Sequence, residues 1–523
     1  MSSRDVRPLR AAHDLPQLRA VGREPFPPIE GELDLDAADV ADAADAADAD
    51  GPASTTSSRS TTAPAVVPVD LESLRAALSG VDDTAEVAPT PAAPPDPEAV
   101  KLLADRAAPV ALRAQYAAVV ADCLDTMAMC ARHRATRRAS ERASEEDRIL
   151  ALLDAIVVCP RFPHAIAAWW QEAVALPDPW KIWAPAFVIA CTDGDDAAPA
   201  LAGLAATLPD DDLEALGAAG EAIALGARPD LYRIAADLSR GESPAARALG
   251  IEALARMSAL SMEDAIAALA PTSPLALRWA AARGAATMPE DRRLDELLLS
   301  ELNRSEDPRV LWEVTRALAL RGLPAGYHAM RFDAALLARF GPRALLVLTL
   351  FGDATDAKLA QRVVARCGVS TPVLRGLARY GNAGAAPVLL AALADEDASD
   401  AAADALELLF GELPDPDARH VPAKWRAHIA ALGATEDVRI RHGKPYRPGA
   451  VLEAFREGAL ARDDLDLFLD EAAVRTGSPQ RAETWRFSPV ADPQILSAAS
   501  ALAKVTATSD TWWCATRTRV RGR

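Results

Sequence analysis

The chain has 523 residues, 50% of them hydrophobic and 5% aromatic, enough apolar material for several cores and too much for an unfolded polypeptide. Its formal net charge of -19 opposes binding to nucleic-acid phosphates, which requires Lys and Arg in excess. The six cysteines (Cys123, Cys130, Cys159, Cys191, Cys367, Cys514) are scattered and form no C-x-x-C pair, which argues against a disulfide scaffold or a zinc ribbon.

Alanine and leucine dominate while β-branched alternation is almost absent, so the composition predicts an all-α fold. The first residues lack the apolar core of a signal peptide, and nowhere do 18 uncharged apolar residues run together. The expectation is a soluble cytoplasmic protein without membrane insertion.

Residues 1–97 read as a disordered acidic and Pro/Ser/Thr-rich tether. In DLDAADVADAADAADAD the aspartates recur every third residue and walk round a helix, without the loop glycines and bidentate Glu that calcium requires. Phe26 and Ile29 stand out as candidate partner-binding residues in a polar leader, and VDLESLRAALSG is a candidate docking helix with Asp70 as cap. Residues 98–160 form an N-terminal helical segment with Val119, Val120, Leu124 and Met127 at helical spacing. Its basic cluster, Arg132 to Arg142, is followed by SEEDR and reads as a solvated helix face.

Residues 161–417 carry an internal repeat. A capping-type residue followed by proline opens several copies, as in SPAARALGIEALARM and DPRVLWEVTRALALRG. The prolines are Pro244, Pro274, Pro308, Pro342 and Pro372, at steps of 30, 34, 34 and 30 residues. Proline at the first helical position loses no hydrogen bond and has its φ already set. In the Asp307 copy Val310, Leu311, Val314, Ala317 and Leu318 line one face. Gly322, Gly352 and Gly381 close first helices, and a second apolar helix follows each. Such pairs cannot bury their apolar faces alone, so the expected architecture is an α-solenoid.

LRGLARYGNAGAAPVLLAALADED, with Gly381, Asn382 and Pro387 at the turn and second helix, resembles the short bacterial HEAT-like repeats related to those of phycobilisome lyases. Residues 418–490 are expected to form a C-terminal helical cap, within which HGKPYRPGAVLEAFREGALARDDLDLFLDEAAVRTG resembles the closing segment of a family of bacterial HEAT-like proteins, some encoded near type VI secretion genes. The resemblance implies a non-enzymatic scaffold or adaptor with a protein partner, in one version a secretion-system component. The other class it implies is a lyase-like or chaperone-like role on a cofactor or client.

Four of the ten tryptophans, Trp169, Trp170, Trp180 and Trp183, crowd the start of the array, suited to capping its end or to binding a partner. His420, His428 and His442 match no metal-ligand spacing. No G-x-S-x-G, Walker or dinucleotide motif occurs, so no catalytic residue, metal or cofactor is expected. The tail, residues 491–523, ends in TWWCATRTRVRGR and reads first as a non-functional end, second as a contact arm for anionic groups.

Overall fold

The computed structural model describes residues 110–503 apart from 160–161, 177, 193–196, 227, 229, 436–438, 447–449 and 478–481. The expectations for residues 1–97, including Phe26 and Ile29, and for the basic tail lie outside the described residues.

Two helices open the described chain: α1 (Val110–Thr136) and α2 (Ala139–Val157). In α1 Val120, Leu124 and Met127 are buried while Val119 faces solvent, so the apolar stripe is narrower than its sequence suggests. Next come α3 (Phe162–Val174), α4 (Pro179–Cys191), α5 (Ala197–Ala206), α6 (Leu213–Leu225), α7 (Leu231–Ser239) and α8 (Pro244–Arg256). They are followed by α9 (Met262–Ala268), α10 (Leu275–Ala285), α11 (Arg292–Arg304), α12 (Pro308–Leu320), α13 (Ala325–Phe332) and α14 (Ala334–Phe340). The array continues through α15 (Ala344–Phe351), α16 (Ala357–Cys367), α17 (Thr371–Tyr380), α18 (Ala386–Ala392) and α19 (Ser399–Phe410). Four helices complete the described residues: α20 (Pro422–Leu432), α21 (Ala450–Arg456), α22 (Arg462–Thr476) and α23 (Ser488–Ala503). The described residues are all-helical apart from one small hairpin, β1 (Ile440–Arg441) with β2 (Lys444–Pro445), turning through His442 and Gly443, both at positive φ. Helix α23 crosses the boundary at 490 expected for the tail.

Capping chemistry places the helix starts. Asp307 Oδ1 accepts hydrogen bonds from Arg309 N at 2.7 Å and Val310 N at 3.4 Å, with Pro308 in the first turn. Asp178, Asp212, Ser243, Asp291 and Asp333 cap α4, α6, α8, α11 and α14 in the same way. The proline signal is less uniform than its spacing. Pro274 is itself the residue before α10, Pro342 sits in a 3-10 turn ahead of α15, and Ser370 before α17 makes no side-chain cap. Gly322 and Gly381 take the left-handed conformation, whereas Gly352 does not (φ -61°).

Packing follows a simple rule. The first helices of the pairs touch in sequence, α4 on α6, α6 on α8, α8 on α10, α10 on α12, α12 on α15, α15 on α17 and α17 on α19. The second helices α5, α7, α9, α11, α14, α16 and α18 pack against this row, several also touching the next of their own kind. The stretch after Asp307 holds three helices in place of a pair, because α13 is inserted before α14. First-row helices α6 and α8 are buried nearly all round, while α11 and α16 bury one face only. Close approach of α8 to α7 depends on glycine: a Cβ on Gly250 would meet Ser239 N at 2.3 Å and Ala235 O at 2.6 Å.

Ala334–Phe351 is the one described stretch long and apolar enough, by composition, to cross a membrane. It is divided by the Gly341–Arg343 turn, and its α15 half packs against α12, α17 and α22.

Candidate functional site

The first row is not apolar on every side. Along one edge it presents Glu221 from α6, Glu252 and Arg256 from α8, Arg283 from α10, Glu313 and Arg316 from α12, and Arg379 from α17. Helix α22 lies over this edge, packed on α12 and α15, so the charged side chains face a helix from much later in the chain.

Two buried glutamates anchor the arrangement. Glu221 accepts from Arg462 at 2.6 Å, Arg134 at 3.2 Å and Arg256 at 3.2 Å, which ties α6 and α8 to α1 and α22. Burial opposes its charge, but Arg462, Arg256 and Arg134 outweigh that cost and hold the carboxyl down at about 2. Glu471, fully buried, is held by Arg439, by Arg441 at 2.6 Å and by Arg475 at 2.8 Å. These guanidiniums also donate to carbonyls at helix ends: Arg475 to Thr349 O and Gly352 O, Arg439 to Tyr380 O, Arg441 to Arg379 O. They thereby neutralise the negative C-terminal ends of α15 and α17. Burial, then Arg475 and Arg441, pushes Arg439 below the usual arginine range, and the Glu471 carboxylate is what makes the crowding tolerable. Asp470 pairs with Arg316 at 2.5 Å and Asp464 with Arg379 at 2.6 Å.

Beside α22 the edge opens into two polar clefts, of about 500 and 540 Å³. The first lies between α8, α10 and α12 on one side and α22 with Ala482–Trp485 on the other. The second is lined by the α1–α2 junction, Arg375, Glu407, Arg419 and His442. Arg379 and Asp463 border both. Desolvation within the cleft raises the Asp463 carboxyl, although the residue still meets solvent, despite Arg462 and Arg379 nearby. Among the described residues Asp463 forms no ion pair.

None of the tryptophans singled out by sequence reaches these clefts. Trp169, Trp170 and Trp183 are buried: Trp170 donates to Thr207 Oγ1 at 2.8 Å, Trp169 to Lys181 O at 3.4 Å, and Trp183 stacks on Phe187. Trp180 is half-buried. His428 contacts Phe410 O and His420 contacts Ser399 Oγ, both ordinary structural partners. His442 borders the second cleft, and burial followed by Arg441 lowers its imidazole to about 4. Among the described residues no group of three or more His, Cys, Asp or Glu is placed to hold a metal ion.

The basic cluster is a correction. Arg132 and Arg137 are solvated, but Arg134 and Arg142 are each 1% exposed. Arg134 is buried because Glu146, Glu221 and Trp485 O supply the acceptors it needs, while Arg142 pairs with Asp492 at 3.2 Å. The charged edge itself escaped sequence reasoning. Its only signal was the charges set inside otherwise apolar first helices, at Glu221, Glu252, Arg283, Arg316 and Arg379. Comparison with family models, curated proteins and solved structures finds no match for this chain.

Proposed function

We propose that the chain is a non-enzymatic scaffold built as a HEAT-like α-solenoid, which binds another protein through surface left open beside α22. What supports this reading is the order of packing: each first-row helix touches the next first-row helix in sequence, as stacked helix pairs must. Helix α22 covers part of the charged edge of the first row, so the reading places the partner at the clefts flanking that helix and on the second-row surface. A secretion-system component is one version, carried by resemblance alone.

The test is affinity capture from native lysate with mass spectrometry, comparing the full chain with a version lacking residues 1–97. The expected result is one protein retained by both baits, and lost when Arg375→Glu and Arg419→Glu are introduced at the second cleft. Saturable binding of a coloured or reactive cofactor, abolished by replacing Cys191 or Cys367, would replace the scaffold with a lyase-like role.

A further inference from the structure

The first cleft has a chemistry of its own. Six carboxylates and four guanidiniums line it. The guanidiniums are spent on internal acceptors: Arg256 and Arg283 on Glu252, Arg316 on Asp470, and Arg379 on Asp464. Glu313 is paired with Arg283 and Arg316 and Glu483 with Arg486, so the lining carboxylates without an ion pair among the described residues are Asp463 and Asp466. Glu252, 1% exposed, leaves its Oε2 without a hydrogen-bond partner while lining the same cleft. The walls include Trp312, half-buried, and Trp485, whose ring already takes Arg486 over it at 4.9 Å. Asp463 and Asp466, with the half-buried ring of Trp312 in the same lining, suit a guanidinium, which pairs in the plane and stacks on a ring.

We infer that this cleft is a binding site for arginine side chains, and that its occupant is the chain's own segment Thr516–Arg523, TRTRVRGR. The argument is charge and reach. That segment carries Arg517, Arg519, Arg521 and Arg523 with no acid, in a chain of net charge -19. Helix α23 starts three residues after Trp485 and its 16 residues span about 24 Å. From Ala503 to Arg517 the chain can extend roughly 46 Å, about twice the length of the helix it has to run back along. The inference goes beyond the scaffold reading and stands without it.

Two measurements on the 523-residue chain test it. In the first, Arg519→Lys and Arg521→Lys provide amines for zero-length carbodiimide cross-linking. Links to Asp463, Asp466 or Glu483 are expected; links only to the aspartates of residues 36–48, or none, overturn the proposal. In the second, all four tail arginines are changed to Gln and a synthetic TRTRVRGR peptide is titrated by calorimetry. One-to-one binding is expected, at least tenfold tighter than to the unmodified chain, whose own tail competes. Asp463→Asn with Asp466→Asn should weaken it at least tenfold. Absence of binding, or affinity unchanged by those substitutions, sinks the idea. Circular dichroism checks that each variant is folded, and Glu483→Gln, at a half-buried position, replaces any that is not.

Discussion

Arg462 Nη1 stands 2.6 Å from Glu221 Oε1, joining residues 241 positions apart, and Arg134 and Arg256 close on the same carboxylate. One buried anion thus holds the first helix of the described chain, two helices of the first row and α22. Removing the charge leaves three guanidiniums facing one another in the interior. Glu221→Gln is expected to destabilise the fold by about 3–5 kcal/mol, read as a lower urea midpoint.

The same carboxyl sets an acid limit. Its value in the fold, about 2, lies below the ordinary 4.5, so its contribution is complete above about pH 4.5 and is lost as pH falls towards 2. His442 acts at higher pH. It is held at about 4 against an ordinary 6.5, so the unfolded chain binds its proton first and stability declines from about pH 6.5 to 4. Denaturation followed from pH 7 to 2 should show both segments. Glu221→Gln removes the lower one and His442→Asn the upper, with Asn tolerating the positive φ at that position.

Trp183 and Trp180 lie three residues apart on α4, yet only Trp183 is fully enclosed. Trp183→Ala should cost about 3–5 kcal/mol through the cavity it leaves. Trp170→Phe, which strips the bond to Thr207, should cost about 1 kcal/mol. Trp180→Ala should cost much less than Trp183→Ala. Thermal unfolding of the three variants checks the ranking, and equal losses at Trp180 and Trp183 would contradict the packing described.

Gly250→Ala offers a test in which intrinsic propensity and packing have opposite signs. Alanine gains about 1 kcal/mol of helix propensity over glycine, but here its methyl would strike the backbone of α7. Net destabilisation of about 1–3 kcal/mol is expected, measured by chemical denaturation.

Much of the secondary structure was legible in the sequence, for reasons local to it. The Asp-Pro and Ser-Pro starts, the glycine stops and the apolar face of Val310, Leu311, Val314, Ala317 and Leu318 act within four residues, and the helix α12 follows from them. What eluded sequence reasoning was the fate of polar side chains. Arg134 and Arg132 differ little in local context, yet one is buried and the other solvated, because the acceptors for Arg134 come from residues 12, 87 and 351 positions away.

The sequence by itself determined an all-helical chain in which each apolar helix needs neighbours, since helix propensity, capping and periodicity are short-range properties. Only the tertiary structure decided that α22 returns to cover the charged edge of the first row. A charge becomes a core residue when distant partners desolvate and pair it, and no spacing along the chain encodes where those partners arrive.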